Sequence, residues 1–178
     1  MPFGFYIIMA AQFFSSFADN ALLVAAIATL IQMAAPEWMT PLLKFFFTVS
    51  YVVFAAFVGA FADSMPKGRV MFITNLVKIA GCLLMFIAAW LPSPGESVYI
   101  PVLVAYGVVG LGAAAYSPAK YGILTEYLPH HKLVIANGWI EGLTVTSIIL
   151  GTLLGGLLIS DTIASRLLAI DKIGRAHV

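Results

Sequence analysis

Long apolar stretches, each holding at most one charged residue, alternate along this chain with short polar connectors rich in turn formers. A bilayer core of roughly 30 Å needs about 20 apolar residues in helix. Five stretches reach that length: Phe3 to Ala35, Pro41 to Ala62, Val70 to Leu91, Val98 to Tyr121 (to about residue 126 with its polar end) and Leu133 to Ser160. Nothing alternates as a barrel strand does, and lipid offers no partner to an open backbone group, so helix is predicted for all five. The connectors Ala35–Trp38, Asp63–Gly68, Leu91–Gly95 and Leu128–His131 each combine proline or glycine with polar groups. A sixth apolar stretch starts at Ile163 and stops at Ile170, and residues 171–178 change composition abruptly, as a non-native tail would. The expected fold is all-α: a polytopic transmembrane helix bundle over residues 1–170, with five spans and the start of a sixth. The chain is expected to be the amino-terminal part of a longer protein.

Composition changes the picture little but excludes much. Hydrophobic residues make up 62% of the chain and charged residues 10%, against about 45–50% and about 25% in soluble domains. A chain of this size cannot build a polar shell from so few charges, so its exterior faces lipid. The net charge of +1, without a basic run, points away from nucleic acid. The single cysteine, Cys82, excludes an internal disulfide framework. His130 and His131 adjoin in a connector without further ligands, and no nucleophile–base arrangement or phosphate-cradling loop occurs, so no enzyme activity, cofactor or metal is expected. The first span lacks a basic start, carries an acid at its centre and is too long for a signal peptide. Lys67, Arg69 and Lys132 lie in the connectors after the second and fourth spans, whereas the opposite connectors carry Glu37 and Glu96. The positive-inside rule then places the amino terminus in the cytoplasm.

Charged residues inside the spans carry the functional signal, because each costs about 2.5–3.5 kcal/mol at mid-membrane on insertion scales. Asp19 is too short and too central to reach either interface. With Gln12 and Ser15 or Ser16 it forms a polar stripe on the first helix. It either faces a working cavity or is protonated or hydrogen-bonded between packed helices. In the fourth span Tyr106, Gly110, Ala113, Ser117 and Lys120 share a stripe, and Pro118 removes a backbone donor, which is expected to bend the helix. Lys120 either serves a substrate or snorkels to the cytoplasmic headgroups. Asn137, Glu141 and Thr144 share a face of the fifth span, at a depth where Glu141 is expected to pair with Lys120. Lys78 sits on a face taken as otherwise apolar and is expected to snorkel. Gly151 and Gly155, four apart, and Gly107, Gly110 and Gly112 mark close helix packing.

Gly59–Ala60–Phe61–Ala62–Asp63 followed by Lys67–Gly68–Arg69 resembles the loop signature of the major facilitator superfamily. Ala11–Gln12–Phe13, Phe17 to Leu23, Ala113 to Leu124, Pro36–Glu37–Trp38 and Lys132 to Gly138 are similar, more narrowly, to the bacterial lysophospholipid transporter family of that superfamily. The resemblance implies two six-helix halves, of which this chain holds the first, with the first and fourth helices lining a central cavity. It implies a flippase-type carrier that moves lysophospholipids such as lysophosphatidylethanolamine from the outer to the inner leaflet of the bacterial inner membrane by alternating access. Its partners would be membrane lipid, the missing carboxy-terminal half and an acyltransferase that re-acylates the cargo. Lys120, with Tyr116 or Tyr121, would meet the phosphate, and Asp19, Asn20 and Gln12 the rest of the head. Asp63 would belong to a gating ion pair with Arg69 nearby, although Ser64 and Pro66 replace the arginine and glycine usual there. The alternatives are another carrier of the superfamily, such as a proton-coupled drug exporter using Asp19 or Glu141, and a membrane scaffold that works through its glycine surface.

Overall fold

The computed structural model describes residues 3–90 and 99–160. Five α-helices follow one another: α1 (Phe3–Gln32), α2 (Met39–Asp63), α3 (Lys67–Trp90), α4 (Ile100–Tyr127) and α5 (His130–Ile159). Four are long and apolar enough to cross a membrane. The fifth, α2, qualifies when its two limbs, bent by 66° between Phe54 and Phe57, count as one span. The expected sixth start at 163–170, the tail at 171–178 and the Leu91–Gly95 connector fall outside the described residues.

The helix ends follow from local chemistry. At the end of α1 the amide of Ala35 donates to the Leu30 carbonyl and Ala34 takes φ 53°, a left-handed termination with alanine where glycine is commoner. Pro36 then prevents continuation. Ser64 closes α2 by donating its amide to Ala60 and Phe61, and the Pro66 carbonyl receives the amides of Arg69 and Val70 to open α3. Pro101 occupies the first turn of α4, where no donor is needed. Within α4 the helix continues through Pro118.

Packing divides the bundle into α1 on α5, and α4 flanked by α2 and α3, while α1 touches α4 only sparsely. Glycines permit the close approaches. A Cβ added at Gly155 would lie 2.9 Å from Val24 Cβ and 3.1 Å from the Ala21 carbonyl oxygen, and at Gly110 one would meet Phe47 Cα at 2.9 Å. The small residues of α5 therefore seat it on α1, as their spacing predicts. Apolar clusters form toward both ends of the bundle, one around Leu30, Leu43 and Val102, another around Ile8, Leu124 and Ile140. Large side chains such as Phe57 and Val134 are exposed, 72% and 81%, which suits a surface that meets acyl chains rather than water. Polar residues collect between the apolar clusters, where α1 and α4 stand apart.

Candidate functional site

The site begins with α1. Gln12, Ser15, Ser16 and Asp19 recur at helical spacing and all line one cavity of about 150 Å³. Facing them are Lys78 from α3, Tyr116, Ser117 and Lys120 from α4, and Thr144 from α5. The first and fourth helices thus turn their polar stripes toward each other. Gln12 donates from Nε2 to Thr144 Oγ1 at 3.0 Å, which ties α1 to α5 at one end of the cavity.

Asp19 is held by Lys78. The ammonium lies 2.6 Å from Asp19 Oδ2 and 2.8 Å from Ser15 Oγ, while the Ser15 hydroxyl donates to Asn75 Oδ1 at 3.0 Å. This corrects the expectation that Lys78 snorkels. The side chain is buried, its stem runs against Gly112 of α4, and Nζ stands 4.9 Å from the centre of the Tyr116 ring. A buried ammonium without access to headgroups needs an anion, and Asp19 supplies it. The face of α3 is also less apolar than expected, since Thr74 and Asn75 lie one turn before Lys78. That pair of polar residues was the signal for a third helix at the site.

Lys120 is buried as well, but its pairing is looser. Its Nζ lies 3.9 Å from Glu141 Oε1, a Coulomb contact beyond hydrogen-bonding range, and 4.4 Å from the centre of the Tyr121 ring. The same Glu141 oxygen accepts the Tyr121 hydroxyl at 2.6 Å. Two atoms in the cavity wall are buried and have no hydrogen-bond partner among the described residues: Gln12 Oε1 and the Tyr116 hydroxyl. Such atoms are uncommon in folded proteins, because each forgoes its solvation without compensation.

The remaining candidates lie elsewhere. Asn20 donates to the Ser16 carbonyl at 2.8 Å and lines an adjoining cavity of about 420 Å³ with Asp19, Lys44, Tyr51 and Tyr106. Tyr51 and Thr48 of α2 were not singled out in the sequence, and Tyr51 lines both cavities. Tyr121 is half exposed and stands outside both linings. Asp63 pairs with Lys67, four residues on, at 2.6 Å, and Lys67 also donates to the Ala62 carbonyl at 2.9 Å. The cation on Asp63 is therefore Lys67 and not Arg69, because the Ser64–Met65–Pro66 corner brings the first residue of α3 back against the end of α2. On the other flank an apolar groove of about 710 Å³ runs between α1, α3 and α5 past Phe14 and Leu158, and the Asp19–Lys78 pair forms its polar edge. Among the described residues no group of three or more His, Cys, Asp or Glu could hold a metal ion.

The family model of the Major Facilitator Superfamily matches residues 8–167. The chain belongs to that superfamily. It is a multi-pass membrane protein of a transporter family. It is 46% identical over 155 residues to the lysophospholipid transporter LplT of Yersinia enterocolitica, covering 87% of this chain and 36% of that protein. It is also 46% identical over 157 residues to LplT of Klebsiella pneumoniae, with the same coverage. The chain thus spans about a third of the length of these curated relatives. No solved structure matches it.

Proposed function

We propose that this chain forms the amino-terminal part of a carrier that moves lysophospholipids, lysophosphatidylethanolamine among them, from the outer to the inner leaflet of a bacterial inner membrane. The observation that carries the reading is the mid-bundle cavity whose wall, among the described residues, holds two buried ammonium groups, Lys78 and Lys120, with the Asp19 carboxylate on Lys78 and Glu141 behind Lys120. Lys120, whose carboxylate stands beyond hydrogen-bonding range, keeps its ammonium donors for a phosphate, and a lysolipid is a phosphate head on one acyl chain. The names of the relatives support the same cargo.

Within this reading Lys120 meets the phosphate as a point charge. Glu141 and Tyr121 hold it from behind, Tyr116 adds a hydroxyl, and Gln12, Asp19 and Asn20 take the hydroxyl or ammonium part of the head. Asp63, with Lys67 and Arg69 at the same corner, serves the gate. Alternating access needs a second half-bundle to rock against this one, and the delivered lysolipid is the substrate for an acyltransferase on the cytoplasmic side. The amino terminus is cytoplasmic, supported by Lys67, Arg69 and Lys132 in connectors on one side.

The test is flux. The complete carrier containing this sequence is reconstituted in liposomes and labelled lysophosphatidylethanolamine is followed between leaflets. Lys120→Ala is expected to lower the rate at least about tenfold, the loss of roughly one charge-assisted hydrogen bond of about 1.5–3 kcal/mol. An unaltered rate would remove Lys120 from the path, and no flux in the unmodified carrier would remove the cargo.

A further inference from the structure

The two polar cavities are consecutive chambers of one path. Ser16 and Asp19 of α1, Tyr51 of α2 and Ala113 of α4 line both. From that shared waist the smaller chamber runs back along α1 to Gln12 and forward along α4 to Lys120. The larger runs forward along α1 to Leu23, back along α4 to Tyr106 and back along α2 to Lys44. Consecutive spans alternate in direction, so these shifts agree and each chamber points to its own end of the bundle. Each also ends on a lysine. Lys44 is seven residues before Tyr51 and Lys120 seven after Ala113, which sets the two lysine backbones on the order of 20 Å apart along the bundle. Lys44 shares a helix face with Phe47, Thr48 and Tyr51, and all four line the larger chamber. It makes no ion pair among the described residues. The carboxylate in the same wall, Asp19, is taken by Lys78 at 2.6 Å. A chamber of about 420 Å³ therefore holds an ammonium without a counter-ion, beside the hydroxyls of Thr48 and Tyr51.

Resting on the carrier reading above, we propose that Lys44 is the first phosphate station of this path: the head-group phosphate arriving from the outer leaflet docks on Lys44 in the larger chamber before it passes the waist to Lys120. That reading puts the amino terminus in the cytoplasm, so the start of α2 and Lys44 belong to the outer end and Lys120 to the inner end. The station reads the phosphate alone, which ethanolamine and glycerol head groups share. Neither head group has to bring a cation, and the Asp19–Lys78 pair stays closed while the phosphate docks. A charge inside a span is costly unless water or a partner meets it, and the chamber supplies the water until the phosphate comes. The two stations differ in exposure. Lys44 is exposed, so its attraction acts through water and is screened by salt. Lys120 is 7% exposed, and a buried charge is screened much less. Docking at the outer station therefore carries a salt dependence that docking at the inner one lacks.

The concentration dependence of flux tests this, in the complete carrier reconstituted in phosphatidylcholine vesicles, whose surface has no net charge. Labelled lysophosphatidylethanolamine and lysophosphatidylglycerol are supplied separately to the leaflet at the Lys44 end. Initial rates are measured at about 0.01 M and about 1 M salt, where the Debye length is about 30 Å and about 3 Å. At low salt Lys44→Gln is expected to raise the half-saturating mole fraction about tenfold for both lipids, with a smaller change in maximal rate, and Lys44→Arg to restore it. High salt is expected to raise the half-saturating fraction severalfold in the unmodified carrier and hardly at all in Lys44→Gln. Replacing Lys44 strands no counter-ion, and thermal unfolding of both variants in detergent checks that they are folded. A lysine that only anchors α2 to the outer head groups predicts unaltered half-saturation and an unaltered salt response in Lys44→Gln, and that result would overturn the station. A fall in maximal rate alone, or an effect on one of the two lipids only, would overturn it too. An unmodified carrier that moves neither lipid removes the transport reading itself, an outcome distinct from normal flux that is indifferent to Lys44.

Discussion

Asp19→Ala is expected to abolish lysolipid flux and to lower the stability of the bundle by about 2.5–3.5 kcal/mol, the cost of a lone charge at mid-membrane. The size follows from what the substitution leaves behind. Lys78 is 8% exposed, and its ammonium has Asp19 at 2.6 Å and Ser15 at 2.8 Å as its hydrogen-bond partners. An ordinary interhelical hydrogen bond within the bilayer is worth only about 0.6 kcal/mol, so the stranded ammonium dominates the loss. Asp19→Asn keeps an acceptor for Lys78 but not the charge, and is expected to fall between alanine and the unmodified chain. The double substitution Asp19→Ala/Lys78→Ala removes both ions and is expected to recover most of the stability and none of the flux. Thermal unfolding in detergent and leaflet-to-leaflet transport of labelled lysolipid, on the same four proteins, read the two effects separately. Recovery of flux in the double variant would show that the ions serve packing alone.

The helices were legible because lipid leaves the backbone one solution. Each span needed only its length and the near absence of charge, and the five predicted stretches fall on α1 to α5 with ends displaced by a few residues. Helix ends were legible where proline or a left-handed residue stops the ladder, as at Pro36 and Pro129. The 66° bend of α2 was not, since no proline falls within α2 beyond its first turn. The proline inside α4, Pro118, leaves the chain helical on both sides of it.

At the site, periodicity within one helix was informative and the pairing between helices was not. The α1 stripe from Gln12 to Asp19 emerges from spacing alone, and so does the approach of Glu141 to Lys120, because depth in the bilayer fixes both. Lys78 escaped for two reasons. Long lysines can reach an interface from mid-span, so their sequence position does not decide their fate. Its direction was set instead by Gly112 on α4, whose missing side chain lets the lysine stem pass toward α1. That is a property of how α3 and α4 meet, which single-span patterns do not encode. The partner of Asp63 stayed open in the sequence for a similar reason. The tight corner between α2 and α3 favours the first lysine of the next helix over an arginine two residues on.

Gly155→Leu is expected to detach α5 from α1, where Gly156→Leu, one residue away, is expected to change stability little. The contrast depends on what each added side chain would meet. At Gly155 a Cβ comes within 3.1 Å of the Ala21 carbonyl and 3.2 Å of its Cα, backbone that can yield only if the whole helix moves. At Gly156 nothing lies within 4 Å. Overpacking costs about 1–3 kcal/mol where side chains can adjust, and a backbone obstacle places Gly155→Leu at or above the top of that range. Displacement would not stay local. Gly151 packs in the same way against Phe17 and Asn20, so the seam from Gly151 to Gly155 sets the position of the turn that carries Asp19. Moving α1 outward lengthens the 3.0 Å Gln12–Thr144 bond and draws Asp19 from Lys78. Thermal unfolding of both variants in detergent, with lysolipid binding measured below the transition, reads the consequence. Loss of stability and of binding is expected for Gly155→Leu alone. Equal behaviour of the two leucine variants would mean that the glycine seam does not hold the acidic turn in place.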